Sequence, residues 1–136
     1  MRFWLVKEEP SHFSFADFAA RGSARWDGIR NFQARNHLRA MAAGDAVLWY
    51  ATGKVKAVVG TATVARAAYP DPTAGQGDWS AVDLKAGRAL RRPVALAEAK
   101  ADALLRACAL VRQGRLSVVP LDAAQHARIL ELGARP

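Results

Sequence analysis

The chain has 136 residues, of which 51% are hydrophobic and 24% charged, with 20 Lys plus Arg against 12 Asp plus Glu for a formal net charge of +8. This length suits a single domain over residues 1–136 with one buried core, and the balance excludes a disordered tail. The longest uncharged apolar stretches, 46–53 and 57–65, are far shorter than the ~18–20 residues of a membrane span. One cysteine, Cys108, cannot form an internal disulfide and fits a cytoplasmic protein, and with His12, His37 and His126 it offers no zinc spacing.

In chain order, Phe3-Trp4-Leu5-Val6 predicts a strand that Pro10 closes. Ser14, with Asp17 three residues on and Gly22 just beyond, brackets a short helix over 15–21. Trp26-Asp27-Gly28 reads as a turn. Asn31 caps a helix running to about Met41, with Ala34, Leu38 and Met41 on one face and Arg35 and Arg39 on another. Ala46–Tyr50 is a strand after the Gly44-Asp45 turn, and 55–65 is a strand bent at Gly60. Residues 69–78 read as a loop, 79–84 and 93–96 as two short strands, and 97–111 as a helix stopped by Gly114. Residues 116–119 form a last strand, and an Asp122/Gln125 capping box opens a terminal helix ending at Gly133.

Five or six short strands mixed with short helices lack the βα alternation of a parallel doubly wound sheet. A mixed, β-rich fold is expected: a small, curved barrel of five to six strands with peripheral helices. Five lysines leave fifteen arginines among the 20 basic residues. Arginine's planar fork suits phosphates and base edges, so the charge points to nucleic acid, although an Ala/Arg-rich composition also arises from codon bias.

Three blocks carry a family resemblance: residues 3–10 (FWLVKEEP), 26–36 (WDGIRNFQARN) with Met41 and Gly44-Asp45, and the pair 69–73 (YPDPT) and 114–118 (GRLSV). Together they resemble the signature of the EVE domain over nearly the whole chain. The family pattern has Ser where Glu8 stands and Tyr-His-Ser where Tyr50-Ala51-Thr52 stands. The resemblance implies a PUA-like barrel similar to YTH domains, and recognition of modified bases, notably modified cytosines in DNA, in an aromatic-walled pocket.

Reading one base requires extruding it from its stack, compensated by aromatic stacking and by hydrogen bonds to the base edge. Trp26 is the candidate platform, with a core plug as its alternative role. The Asn31 amide has both a donor and an acceptor for a base edge, and its competing role is the helix cap. Lys7, Glu8, Glu9 and Pro10 end the first strand; Glu8 and Glu9 point to opposite faces if the strand reaches them, so that one accepts from an exocyclic amine. Tyr50 is expected on the pocket wall and Trp49 in the core. Arg115 and Ser117 share a face of the last strand as edge and phosphate contacts, with solvation the other reading of Arg115. Arg30, Arg35 and Arg39 are the phosphate-binding candidates.

These residues describe a non-catalytic reader of a modified base, a cytosine in DNA or a base in RNA, monomeric and without cofactor or metal. A nuclease or restriction protein is the conjectured partner. The alternatives are a small enzyme hydrolysing a modified nucleoside, with Lys7 and Glu8 or Glu9 as its pair, and an RNA-binding or other interaction module. No nucleophile–base constellation supports the enzyme.

Overall fold

The computed structural model describes residues 1–136. Six strands make one mixed sheet: β1 (Phe3–Glu8), β2 (Ser23–Trp26), β3 (Ala46–Ala51), β4 (Ala57–Pro70), β5 (Ser80–Ala95) and β6 (Val118–Leu121). Their order is β2-β5-β4-β3-β1-β6, antiparallel throughout except for the parallel β1–β3 pair. Around it lie α1 (Phe15–Arg21), α2 (Phe32–Ala40), α3 (Leu96–Ala101), α4 (Ala109–Arg112) and α5 (Ala123–Gly133). No helix is long and apolar enough to cross a membrane.

The expected barrel is corrected in one respect. The edge strands β2 and β6 do not pair, so the sheet does not close. It is nonetheless strongly rolled. Trp26 of β2 is three strands from Trp49 of β3, roughly 14 Å in a flat sheet at the usual strand spacing. Their rings lie 5.1 Å apart and nearly perpendicular. The curvature comes from the long β4–β5 ribbon, whose register shifts at four places between Val58 and Tyr69, each bulge adding local twist and bend. At Gly60 a Cβ would collide with the Phe15 ring, so the missing side chain lets α1 press onto the bent backbone.

The core inside the roll is aromatic. Trp49 stacks on Phe18 at 4.6 Å and meets Phe13, Phe15 and Trp26 edge-on, arrangements that add to simple area burial. The β1–β3 pair is fixed at its start by the buried Asp45, which accepts from the amides of Arg2 and Ala42 and from the Trp4 indole. Burial disfavours that charge, but the three donors outweigh it and hold its pKa below the ordinary carboxylate value.

Other boundaries also differ from expectation. Trp26 ends a strand and does not sit in a turn; the four residues Ser23–Trp26 are too short to show a period of their own. The two short strands expected over 79–84 and 93–96 are one 16-residue strand, β5, that passes through Gly87 by pairing with β4. The loop expected at Tyr69 starts only after Pro70. The expected 97–111 helix is broken into α3, a 3₁₀ turn over Leu105–Ala107, and α4, with Asp102 accepting from the amides of Leu104 and Leu105 at the break. The last strand begins at Val118, which leaves Arg115 and Ser117 outside it.

Candidate nucleic-acid interface

The largest cleft, about 570 Å³, opens between the end of β1, the turn after it, and β2. Glu8, His12 and Phe13 line one side; Arg21, Ala24, Arg25, Trp26 and Asp27 line the other. Its size falls within the usual range for small-ligand pockets. Strand alternation explains the composition. Trp4, Val6 and Glu8 share a face of β1, and the parallel register puts Val6 beside Trp49 and Glu8 beside Ala51. The face that is hydrophobic core at Val6 and Trp49 thus becomes polar at Glu8, where the strand ends.

Trp26 combines its two expected roles. It is 5% exposed and packed edge-on against Trp49, and it also borders the cleft. Its indole N–H is buried without a hydrogen-bond acceptor. Buried donors rarely lack a partner, and an orphaned one costs about 1–3 kcal/mol. Glu8 keeps 24% of its side chain exposed; its Oε1 accepts from the Glu9 amide at 2.9 Å and lies 3.3 Å from His12 Nδ1. Arg21 lies over the Phe13 ring at 5.3 Å, and Arg25 pairs with Asp27 at 2.7 Å.

The other candidates do not join this cleft. Glu9 turns away from Glu8: it accepts from the Ser11 amide and hydroxyl and reaches the Thr52 hydroxyl at 3.4 Å. Pro10 follows in the turn after β1. Lys7 and Tyr50 are register partners on the opposite face of the sheet. There the ammonium donates to the Gly114 carbonyl at 3.1 Å and lies 5.6 Å from the Tyr50 ring centroid, in a separate groove of about 210 Å³. Burial lowers the Lys7 pKa and raises that of Tyr50. The Lys7–carboxylate pair that an enzyme would use is therefore not assembled with either glutamate.

Asn31 caps α2, its Oδ1 accepting from the Ala34 amide at 2.9 Å. With Arg115 it borders a third, smaller groove formed also by Gln33, Gln113 and Leu116. The Ser117 carbonyl accepts from the Lys7 amide, extending the β1–β6 pairing by one residue. The nine expected base-pocket residues are thus spread over three grooves, the turn after β1 and the β1–β6 seam at Ser117; for Lys7, Glu8 and Tyr50 the cause is period two, which sends neighbours in β1 and β3 to opposite faces.

The three expected phosphate-binding arginines already have protein partners. Arg30 donates to Asp71 Oδ2 at 2.9 Å, and Asp71, whose side chain is fully buried, also accepts from the Gly28 amide and from the Thr73 amide and hydroxyl. Burial would raise the Asp71 pKa, but these donors hold it far below the ordinary carboxylate value. Arg39 donates to Ser80 Oγ at 2.9 Å and to Asp78 at 2.6 Å. Arg35 donates to the Asp78 carbonyl and the Asn36 side chain. The three tie the 71–80 segment to α2.

The sequence pattern does not single out His12, Phe13, Arg21, Ala24, Arg25 or Asp27 as site residues. Phe13 precedes the capped α1 and Arg21 ends it, so they look like ordinary packing and end-of-helix charge. The one available signal is their position between two blocks of family-like sequence.

The EVE domain family model matches residues 2–132. This chain belongs to the EVE domain family. Thymocyte nuclear protein 1 of Mus musculus is 33% identical over 164 residues, covering 96% of this chain and 73% of the relative. The crystal structure of human THYN1 in complex with 5-methylcytosine-containing DNA superposes with a TM-score of 0.91 at 29% identity, covering all of this chain and 99% of that one. A YTH domain of Zygosaccharomyces rouxii MRB1, solved with N6-methyladenosine RNA, shares the fold at 15% identity and a TM-score of 0.64, covering 99% of this chain and 85% of that one.

Proposed function

We propose that this EVE domain is a non-catalytic reader of a modified base in nucleic acid, with a methylated cytosine in DNA as the preferred ligand. The observation that carries the reading is the cleft that sets the Glu8 carboxylate against Phe13, Ala24 and Trp26. A cytosine presents an exocyclic amine that a carboxylate accepts, and its methyl group requires apolar contact. A base seated against Trp26 also gives the orphaned indole N–H an acceptor, such as a pyrimidine carbonyl. Arg21 at the rim, which has no carboxylate partner, supplies charge for a flanking phosphate. Backbone similarity to the human relative solved with 5-methylcytosine DNA supports the choice of ligand.

The test is fluorescence anisotropy on matched oligonucleotides with cytosine or 5-methylcytosine, single- and double-stranded, at fixed salt. The native protein is expected to prefer the modified form. Glu8→Ala, a change at a partly exposed strand end, is expected to lower binding of the modified form about tenfold, the scale of one good base-edge contact. Trp26→Phe, which keeps an aromatic ring and deletes the N–H, is expected to reduce the preference by a similar factor. Equal binding of modified and plain oligonucleotides by the native protein overturns the proposal.

A further inference from the structure

A second feature lies outside the cleft. Phe32, the first residue of α2, is 65% exposed, the most exposed large hydrophobic residue after the N-terminal methionine. It is not a solitary surface ring. It stacks on Trp79, from the far end of the 71–80 segment, with centroids 5.1 Å apart and planes within 18°. Arg35 lies 5.0 Å from the Phe32 centroid and 5.8 Å from that of Trp79, and Arg30 lies 5.6 Å from Trp79.

The stack is held from both sides. Asp71 binds Arg30 and the Gly28 amide, and Arg39 binds Asp78 and Ser80. Gly77, at φ +92°, lets the indole lie flat, since a Cβ there would come within 2.6 Å of Trp79 Nε1. Three guanidinium groups (Arg30, Arg35, Arg39) against two carboxylates (Asp71, Asp78) leave this surface cationic.

We infer that the Phe32–Trp79 stack is a second nucleobase site, a shelf on which an unpaired base of the bound strand stacks within the positive field of Arg30 and Arg35. A planar heterocycle completes an aromatic ladder at low ordering cost, and every base has a π-face to offer, so the shelf is indifferent to sequence and to modification. Trp26 and Phe32 are six residues apart, which limits their separation to about 20 Å of extended chain. At ~3.4 Å per stacked step that is within about six nucleotides on one strand. The inference rests on the nucleic-acid reading above but not on which base occupies the cleft.

The test uses the intact chain and two single-stranded oligonucleotides, one with a single 5-methylcytosine and one without. Phe32 is exposed, so Phe32→Ala should remain folded, and thermal melting verifies this. Phe32→Ala is expected to weaken both oligonucleotides about tenfold and equally, leaving the preference for the modified base unchanged. Phe32→Tyr, which keeps the ring, is expected to restore binding to within about twofold of native. Native-like binding of both oligonucleotides by Phe32→Ala overturns the shelf, as does an equal loss in Phe32→Tyr. A native protein that binds both strands equally but loses affinity for both in Phe32→Ala refutes the cleft reading and leaves the shelf standing.

Discussion

The cleft beside Trp26 and the surface of α2 facing the 71–80 segment differ in how their polar groups are satisfied. On α2 and just before it, every guanidinium that looked free in the sequence is engaged: Arg30 with Asp71, Arg39 with Asp78 and Ser80, Arg35 with a carbonyl and an amide. At the cleft wall the Trp26 indole N–H is buried without a partner, and the Glu8 carboxylate remains partly in water. A saturated polar network stabilises a shape and leaves only ring faces to a ligand, whereas a carboxylate partly in water beside an open volume can accept from one. The density of positive charge does not distinguish the two regions; the partly hydrated Glu8 carboxylate does.

The contrast is most exposed at Asp71. If that carboxylate is an architectural anion, Asp71→Ala strands the Gly28 amide, the Thr73 amide and part of Arg30. We expect a loss of about 3 kcal/mol in unfolding free energy, the low end of the range for breaking a buried charged pair. Urea denaturation measures it, and a loss below about 1 kcal/mol would place the network among ordinary surface pairs.

Acid provides a second, smaller lever. Asp45 and Asp71 are both held below their ordinary pKa in the fold, so their contribution is complete above the unfolded value of about 4. It is lost as pH falls through the lower folded values, because the unfolded chain then binds protons that the fold refuses. Melting temperature is therefore expected to drop below about pH 4, and less steeply in Asp71→Asn, where one of the two groups no longer titrates. Parallel slopes for native and variant would contradict this.

The smallest effect is predicted at Arg39. Its donors are used within the protein, so Arg39→Gln is expected to change the log–log salt dependence of DNA binding by less than the ~0.9 that one phosphate contact contributes. A full decrement in the salt titration would move Arg39 into the interface.

Local signals in the sequence were strong where side chain and backbone meet within four residues. Ser14, Asn31 and Asp122 cap the helices read from them, whereas β1 stops at Glu8, so Glu9 diverges through the turn that follows and not through strand alternation. What was not legible depends on partners distant in sequence. Nothing near Asp71 indicates that it anchors Arg30, 41 residues earlier. Nothing near Phe32 indicates Trp79. Strand β2 is ordered by β5, and the single long β5 by its pairing with β4. The placement of Tyr50 followed the same logic: alternation correctly separates it from Trp49, but only the β1 register shows that the Trp49 face is the one continuous with the cleft.

The sheet order also has a consequence for biosynthesis. Strand β1 lies between β3 and β6, so one side of the strand that ends at Glu8 is covered by residues 117–121. While translation is under way, that flank of β1 has no hydrogen-bonding neighbour until β6 leaves the ribosome. A stalled or prematurely terminated nascent chain would therefore present Trp4–Val6 as a sticky template, and such fragments should be cleared by chaperones or proteases rather than accumulate as partial readers.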